Sequence, residues 1–137
     1  MTELIDTNII FYSLDNREPE KHETAKRIMK NAFTAGGVVS TQNIAEFFHQ
    51  SKRKFSVINL ESARDLALAI ISSEKIVKIS YDQDTIYKTI NNCKKEQDFW
   101  DLVIYYTMLE NGITRIITEN TDDFKTLNGV VAINPFK

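Results

Sequence analysis

The sequence predicts an α/β protein, a three-layer α/β/α sandwich around a mostly parallel central sheet. Short apolar runs, each long enough for one strand, alternate along the chain with segments of helical periodicity, and this alternation is typical of parallel sheets. A length of 137 residues, with 42% hydrophobic and 26% charged residues, matches one globular domain. Only four glycines and two prolines are present, which excludes a fibrous or linker-rich chain. We therefore predict a single domain over residues 1–137.

The first predicted elements are two strands and the two helices between them. Residues 4–5 are an apolar strand, and the polar residues 6–8 open a short helix. A second helix starts at Pro19 and ends at the glycine pair 36–37, because proline suits the first turn of a helix and glycine its end. Residues 38–40 then form the second strand.

The middle of the chain continues the alternation. A helix opens at Thr41 or Gln42 and leads into a basic run at 52–54, which we predict to be a loop. Periodic apolar residues predict another helix over 60–71. The run at 76–79 predicts a third strand.

The last third of the chain supplies the remaining elements. Asp82 is placed to cap one helix, and another runs over 98–109 toward Gly112 at its end. Strands follow at 113–118 and 130–133. In open α/β sheets ligands bind outside the carboxyl ends of the strands, so the residues at those ends are the candidates for function.

Acidic residues are found at or near these strand ends. Asp6 directly follows the first strand, and Glu46 lies one turn into the helix after the second. Asp101 lies in the first turn of the helix before the fourth strand, and Asp123 lies just past that strand. Clustered carboxylates repel one another unless a cation compensates, and oxygen ligands suit Mg²⁺ or Mn²⁺. The joint arrangement therefore predicts a divalent-metal site.

Each acid also has a simpler explanation when taken alone. Asp6 can serve only as a helix cap, and Asp123 can be an ordinary loop residue. Asp101 is harder to explain in this way because it lies between Trp100 and Leu102. An acid within an apolar stripe loses solvation unless it is paired or bound to a metal.

Charge and cysteine content exclude several classes of protein. The net charge is −2, from 17 basic and 19 acidic residues, which excludes a broadly basic nucleic-acid-binding coat. The one cysteine, Cys93, excludes a disulfide framework and a cysteine-based zinc site. No apolar run approaches the roughly 18 residues of a membrane span. We expect a cytoplasmic protein with no membrane partner and no signal peptide.

Four segments resemble the PIN-domain family, and within it the VapC-like ribonuclease toxins of toxin–antitoxin systems. They are LIDTNIIFYSLD at 4–15, VVSTQNIAEFFH at 38–49, DFWDLVIYYTMLENGITRIITENTDDF at 98–124, and GVVAINPF at 129–136. The segments follow one another in order over the whole chain. The resemblance implies a PIN-like fold and an Mg²⁺- or Mn²⁺-dependent endoribonuclease, a hydrolase that is usually a homodimer. Such toxins are typically neutralised by a small antitoxin protein that inserts a segment into the active-site groove.

The resemblance also implies which residues form the site. Asp6, Glu46 and Asp101 match the first three acids of the family. Asn120 stands where many relatives have a fourth acid, whereas others use the position of Asp123. The implied catalytic residues are Asp6, Glu46, Asp101 and Asp123, and the implied metal ligands are Asp6, Glu46, Asp101 and Asn120. Because asparagine brings an amide oxygen without charge, we expect one firm metal position and a weaker second one.

Substrate contacts follow partly from the resemblance and partly from charge. The polar groove positions of the family are matched by Thr7, Asn8 and Thr118. RNA must approach a negatively charged site, so cations have to flank it. The candidates are Lys52, Arg53 and Lys54, and the alternative is that they form an ordinary solvated surface.

Other classes fit less well or remain open. A phosphoacceptor receiver domain needs an acidic pair after the first strand, where this chain has only Asp6. A haloacid-dehalogenase-type phosphatase needs D-x-D, and the third residue here is Asn8. Two alternatives stay open. One is a PIN-fold RNA-processing nuclease that is not a toxin, and the other is a non-catalytic module that binds RNA or protein, which Asn120 would favour.

Overall fold

A computed structural model describes residues 3–54 and 57–137, and its centre is an all-parallel five-stranded sheet. The strands are β1 (Glu3–Ile5), β2 (Gly37–Ser40), β3 (Ile76–Ile79), β4 (Arg115–Ile117) and β5 (Val131–Ile133). Their order across the sheet is β3-β2-β1-β4-β5, and every neighbouring pair is parallel. With helices on both faces, the predicted α/β/α architecture is confirmed.

Pairs of helices separate the first four strands along the chain. They are α1 (Thr7–Tyr12) and α2 (Pro19–Ala35), α3 (Thr41–Arg53) and α4 (Leu60–Ser72), and α5 (Gln83–Asn92) and α6 (Phe99–Glu110), with a short 3₁₀ turn at Thr121–Asp123 after β4. Throughout the two described ranges, no helix has both the length and the apolar character that crossing a bilayer requires.

Capping residues explain where the helices begin and end. Asp6 caps α1, Asp82 caps α5 and Asp98 caps α6, each with a carboxylate oxygen that accepts a backbone N–H of the first turn. Gly36 ends α2 with a φ of 112°, a conformation that side chains with a Cβ rarely adopt. The predicted starts of α1, α5 and α6 are therefore confirmed by the capping geometry.

Alternate strand residues pack into two separate apolar layers. Ile5 and Val39 face the layer covered by α1 to α4, whereas Leu4 and Val38 face the layer that contains Ile104 of α6. This alternation is the two-residue period of a strand. A parallel sheet that is covered on both faces needs apolar residues at both positions, which explains the continuous apolar runs in the sequence.

Two predicted boundaries were wrong. The basic run 52–54 is not a loop, because Lys52 and Arg53 form the last turn of α3 and Lys54 is its C-cap. Basic side chains favour the carboxyl end of a helix, so the charges stabilise this turn instead of ending it early. The fourth strand is also shorter than predicted, since β4 covers only Arg115–Ile117.

The strand order creates a crevice at the centre of the sheet. The chain passes from β1 outward through β2 to β3, and then returns to the other side of β1 to form β4 and β5. Such a reversal opens a gap at the carboxyl ends of the two central strands, where ligands of α/β proteins bind. Asp6 follows β1 and Thr118 follows β4, so both lie at this edge.

Candidate active site

Asp6 is held at the crevice by hydrogen bonds from three different elements. Its Oδ1 accepts the backbone N–H of Thr7 at 2.8 Å and Nδ2 of Asn43 at 3.2 Å. Its Oδ2 accepts the hydroxyl of Thr118 at 2.7 Å. These neutral donors fix the orientation of the carboxylate but leave its negative charge without a counter-ion.

Asn43 connects Asp6 to the helix that carries Glu46. The amide is fully buried, and its Oδ1 accepts the backbone N–H and the hydroxyl of Ser40. Its Nδ2 donates to the hydroxyl of Thr7 at 3.1 Å, and that hydroxyl donates to Oε1 of Glu46 at 3.0 Å. Because Thr7 is buried, the structure places it as a support for Glu46 more than as a surface open to a substrate.

Thr118 and Asn8 tie the loop after β4 to α1. Asn8 donates from Nδ2 to the hydroxyl of Thr118 at 3.1 Å and accepts the backbone N–H of Glu119 at 3.2 Å. The backbone N–H of Asn120 donates to the same threonine hydroxyl at 3.0 Å. Thr118 is fully buried, so its position is that of a residue that holds Asp6.

Asp101 interacts with all the other acids predicted for the site. The pKa of Asp101 is raised to about 7, mainly by burial and further by the charges of Asp123, Asp98, Asp6 and Glu46. Its backbone N–H donates to the capping carboxylate of Asp98 at 3.0 Å, which places it in the first turn of α6. The mutual repulsion means that the four predicted catalytic acids converge on one region.

The pKa values of Asp6 and Asp123 are raised as well. Burial is the main cause for Asp6, with further repulsion from Glu46 and Asp123, while the hydrogen bonds from Thr118 and Thr7 act in the opposite direction. Burial is also the main cause for Asp123. Three acids of this region are therefore harder to ionise than isolated aspartates.

The two candidates for the fourth position occupy different surroundings. Asp123 lines a cavity of about 290 Å³ together with Asp98, Asp101 and Asp122. Asn120 is exposed, and its recorded hydrogen bonds in the described residues come from its backbone. Asp123 therefore lies with Asp98 and Asp101, whereas no hydrogen bond among the described residues joins the Asn120 side chain to the acids.

The donor set fits a hard cation in its chemistry. Among residues 3–54 and 57–137, no lysine, arginine or histidine forms a salt bridge with Asp6, Glu46, Asp101 or Asp123. All of these donors are carboxylate oxygens, and a divalent cation would relieve their mutual repulsion. In the same ranges, no three His, Cys, Asp or Glu side chains lie close enough together to hold one ion as they stand.

The family follows from a match over nearly the whole chain. The PIN domain family model matches residues 4–130. The chain belongs to the PIN-domain family. This agrees with the resemblance seen in the sequence, and the acids described above lie within the matched residues. No curated protein sequence matches the chain.

Solved structures with the same fold are distant in sequence. VapC20 of Mycobacterium tuberculosis, a sarcin-ricin loop cleaving toxin, has 18% identity and a TM-score of 0.68, over 94% of this chain and 97% of the other. A toxin–antitoxin complex from Klebsiella pneumoniae has 21% sequence identity to this chain and a TM-score of 0.67, over 98% of both chains. FitAcB from Neisseria gonorrhoeae has 20% sequence identity and a TM-score of 0.61, over 97% of both chains. At these identities the likeness establishes the fold.

The last residue of the basic run, Lys54, packs against α1 of this PIN domain. Lys54 places its ammonium 5.3 Å from the ring centroid of Phe11, at the far end of α1 from Thr7. Its charge lowers the pKa of Asp15. Glu46 contacts Thr7 at the other end of α1, and contact of Lys52, Arg53 and Lys54 with RNA stays a prediction.

Sequence reasoning missed two residues of this network. Asn43 is the buried amide that connects Asp6, Thr7 and the start of α3. Asp98 adds a fifth negative charge next to Asp101. The spacing of Ser40 and Asn43, three residues apart, is that of a capping box and could have identified Asn43.

Proposed function

We propose that this PIN domain is an Mg²⁺- or Mn²⁺-dependent endoribonuclease and the toxin of a toxin–antitoxin pair. The observation that carries the proposal is the group Asp6, Glu46, Asp101 and Asp123, which lies at the crevice without a basic partner among the described residues. Bringing partly buried carboxylates together is unfavourable unless a cation joins them. Perturbed pKa values in a crevice are typical of a functional site.

The residues have distinct roles in the proposed reaction. Asp6 and Asp101 would hold the cation, with Asp123 beside them. A bound divalent cation makes water more acidic and polarises the phosphate that is attacked. Asn43 and Thr118 keep Asp6 oriented toward the crevice. These supports reduce the reorganisation needed for binding.

Glu46 is the proposed base. Its Oε1 accepts the hydroxyl of Thr7, and in the described part of the chain no group donates to Oε2. That oxygen is therefore free to orient a water molecule and to accept its proton. The raised pKa of Asp101, about 7, means that cation binding displaces a proton near neutral pH.

The proposal extends to the partners. We infer an RNA substrate, a small antitoxin protein that covers the crevice, and a homodimer. Support comes from the family and from the relatives, one of which is a sarcin-ricin loop cleaving toxin and another a toxin–antitoxin complex. A cytoplasmic location stays a prediction from the sequence.

Cleavage of a mixed RNA pool tests the proposed activity. Purified protein is incubated with Mg²⁺, with Mn²⁺ or with EDTA, and Asp6→Asn serves as the control for contaminating nucleases. We expect cleavage that requires the metal and falls by about 100-fold or more in the variant. Undiminished cleavage by Asp6→Asn would reject this site.

Asn120 favours one second candidate, a PIN-fold module that binds RNA or protein without cutting. Calorimetric titration with Mn²⁺ separates the two. Binding without cleavage of the pool indicates a nuclease selective for an RNA absent from the pool, whereas no binding supports the non-catalytic module. Growth arrest on expression, relieved by the product of a short neighbouring gene, would favour a toxin over an RNA-processing enzyme.

A further inference from the structure

A second cavity, of about 690 Å³, adjoins the acidic site and shares Glu46 with it. Its walls come from α3 through Gln42 and Glu46, from the residues after β3 through Tyr81, and from α6 through Trp100. Trp100 directly precedes Asp101. Whatever enters this cavity therefore lies beside Glu46, the proposed base.

Two aromatic rings in this cavity are unusually exposed. Trp100 is 47% exposed and Tyr81 is 38% exposed. Their ring centroids are 6.1 Å apart and their planes meet at 56°, so the rings form a corner. The ring of Phe99 contacts the indole edge-on at 5.2 Å and limits its movement. Aromatic faces that stay accessible next to a catalytic site are typical platforms for nucleobases.

Gln42 adds a polar group that lacks a partner. The residue is 8% exposed, and its Nε2 donates to the backbone carbonyl of Trp100 at 3.3 Å, which fixes the orientation of the amide. Within the described residues its Oε1 is buried without a hydrogen-bond donor. Buried acceptors of this kind are rare and indicate a missing partner. Every nucleobase carries an N–H on its pairing edge that could donate a hydrogen bond to this oxygen.

The charge around the two cavities differs. The cavity beside Asp101 and Asp123 is lined by several carboxylates, and they would repel a phosphate that lacks a cation. The cavity at Trp100 has Glu46 as its one acid among the lining residues. A neutral base is therefore accommodated more easily in the second cavity, and the phosphate next to it in the first.

We propose that the Trp100 cavity binds one unpaired nucleobase of single-stranded RNA, stacked on Trp100 and Tyr81 with an N–H toward Oε1 of Gln42. This proposal rests on the proposed ribonuclease function. A base can enter only when it is unstacked from its neighbours. The cavity thus selects single-stranded positions, and it positions the adjoining phosphate at the carboxylates.

Fluorescence offers a direct test because Trp100 is the single tryptophan of the chain. Asp6→Asn protein, in which cleavage is blocked at a residue outside the cavity, is titrated with a six-nucleotide single-stranded RNA. An abasic oligonucleotide of equal length is the comparison. We expect quenching by the RNA and much weaker quenching by the abasic strand. Equal quenching by both would overturn the stacking proposal.

Variants test the same cavity through binding and cleavage. Trp100→Ala should weaken RNA binding roughly 5- to 150-fold, and Trp100→Phe should retain most of it. Gln42→Leu should reduce binding of the RNA but not of the abasic strand. Tyr87→Ala is the matched control, since this tyrosine is 70% exposed on α5 and should have no effect. Thermal unfolding checks that each variant is folded.

The outcomes separate this proposal from the proposed function. If the wild-type protein cleaves RNA with Mg²⁺ and Trp100→Ala cleaves it equally well, the base site is rejected and the nuclease stands. If no RNA is cleaved and no Mn²⁺ is bound, but RNA still quenches Trp100 more than the abasic strand does, the base site stands and the nuclease is rejected.

Discussion

Asp15 and Asp101 show two ways in which this protein places a carboxyl group out of water. Asp15 is 3% exposed and accepts hydrogen bonds from Nε and Nη2 of Arg17 at 3.0 and 2.8 Å. These bonds hold its pKa below the ordinary value. Asp101 is less buried, yet burial and neighbouring acids raise its pKa to about 7. The two pKa values shift in opposite directions because the chain supplies a cation, Arg17, to Asp15.

Glu119 shows that position at the sheet edge does not explain the difference. It directly follows Thr118, accepts the hydroxyl of Tyr12 at 2.8 Å and forms an ion pair with Lys21. Burial alone would raise the pKa of Glu119, but the bonds from Lys21 and Tyr12 lower it overall. The chain thus neutralises one acid at this edge, whereas the neighbouring group has no basic partner within residues 3–54 and 57–137. A site that takes its cation from solution explains this selectivity.

The largest expected effect is on cation binding. Asp101→Asn removes one charge from the group without a counter-ion, and we expect Mn²⁺ affinity to fall by about 100-fold, which corresponds to ~2.7 kcal/mol. Asp15→Asn is the matched control and should leave the affinity unchanged. Calorimetric titration at pH 7.5 measures both. If Mn²⁺ affinity falls equally in the two variants, the difference in pairing between Asp15 and Asp101 does not determine where the metal binds.

The two asparagine variants should also change stability with opposite signs. The raised pKa of Asp101 favours the folded state at low pH, and this contribution is lost as pH rises from about 4 to about 7. In EDTA, Asp101→Asn should therefore be more stable than the wild type at pH 8 and similar to it at pH 4. Asp15 has a lowered pKa, so Asp15→Asn should be less stable at pH 7, with the difference vanishing as the pH falls below 4.

Denaturant unfolding at several pH values measures these differences in the free energy of unfolding. EDTA is needed because a bound cation would lower the pKa of Asp101 and conceal its effect. A wild-type profile that stays flat between pH 4 and 8, or an Asp101→Asn variant that is less stable at pH 8, would contradict the assignment.

Removing the cation from Asp15 should have a smaller effect. Arg17→Leu leaves a buried carboxylate unpaired, and we expect a clear loss in the free energy of unfolding at pH 7, limited because the arginine is largely exposed. Lys26→Leu is the control, since both Lys26 and its partner Glu23 are exposed, and it should cost at most about 0.5 kcal/mol. If the two variants lose similar free energy of unfolding, the ion pair of buried Asp15 contributes no more to stability than an exposed ion pair does.

The sequence predicts those parts of the protein that depend on local order. Alternation of apolar runs and helical segments predicts the sheet, and acids next to strand ends identify Asp6, Glu46 and Asp101, because parallel strands bring their carboxyl ends to one edge. Asn43 could not be recognised as a partner of Asp6 in this way, since their contact depends on how α1 packs on α3.

The cavity at Trp100 was also beyond sequence reasoning. Its walls come from three separate parts of the chain, and the unpaired oxygen of Gln42 is visible only when they are assembled. The basic run shows the same limit. Its composition predicts contact with RNA, but the contact of Lys54 with Phe11 is visible only once α3 packs along α1.

The smallest expected effect concerns this basic run, whose cations the sequence predicts to contact RNA. If Lys52, Arg53 and Lys54 contact the RNA backbone, replacing all three with glutamine should reduce the salt dependence of binding. The slope of log affinity against log salt should fall by about 2, since each contact with a single strand contributes roughly 0.7. Gel-shift titration of Asp6→Asn protein from low to high salt measures it. An unchanged slope would mean that the run is a solvated helix end, and that cations elsewhere guide RNA to the acids.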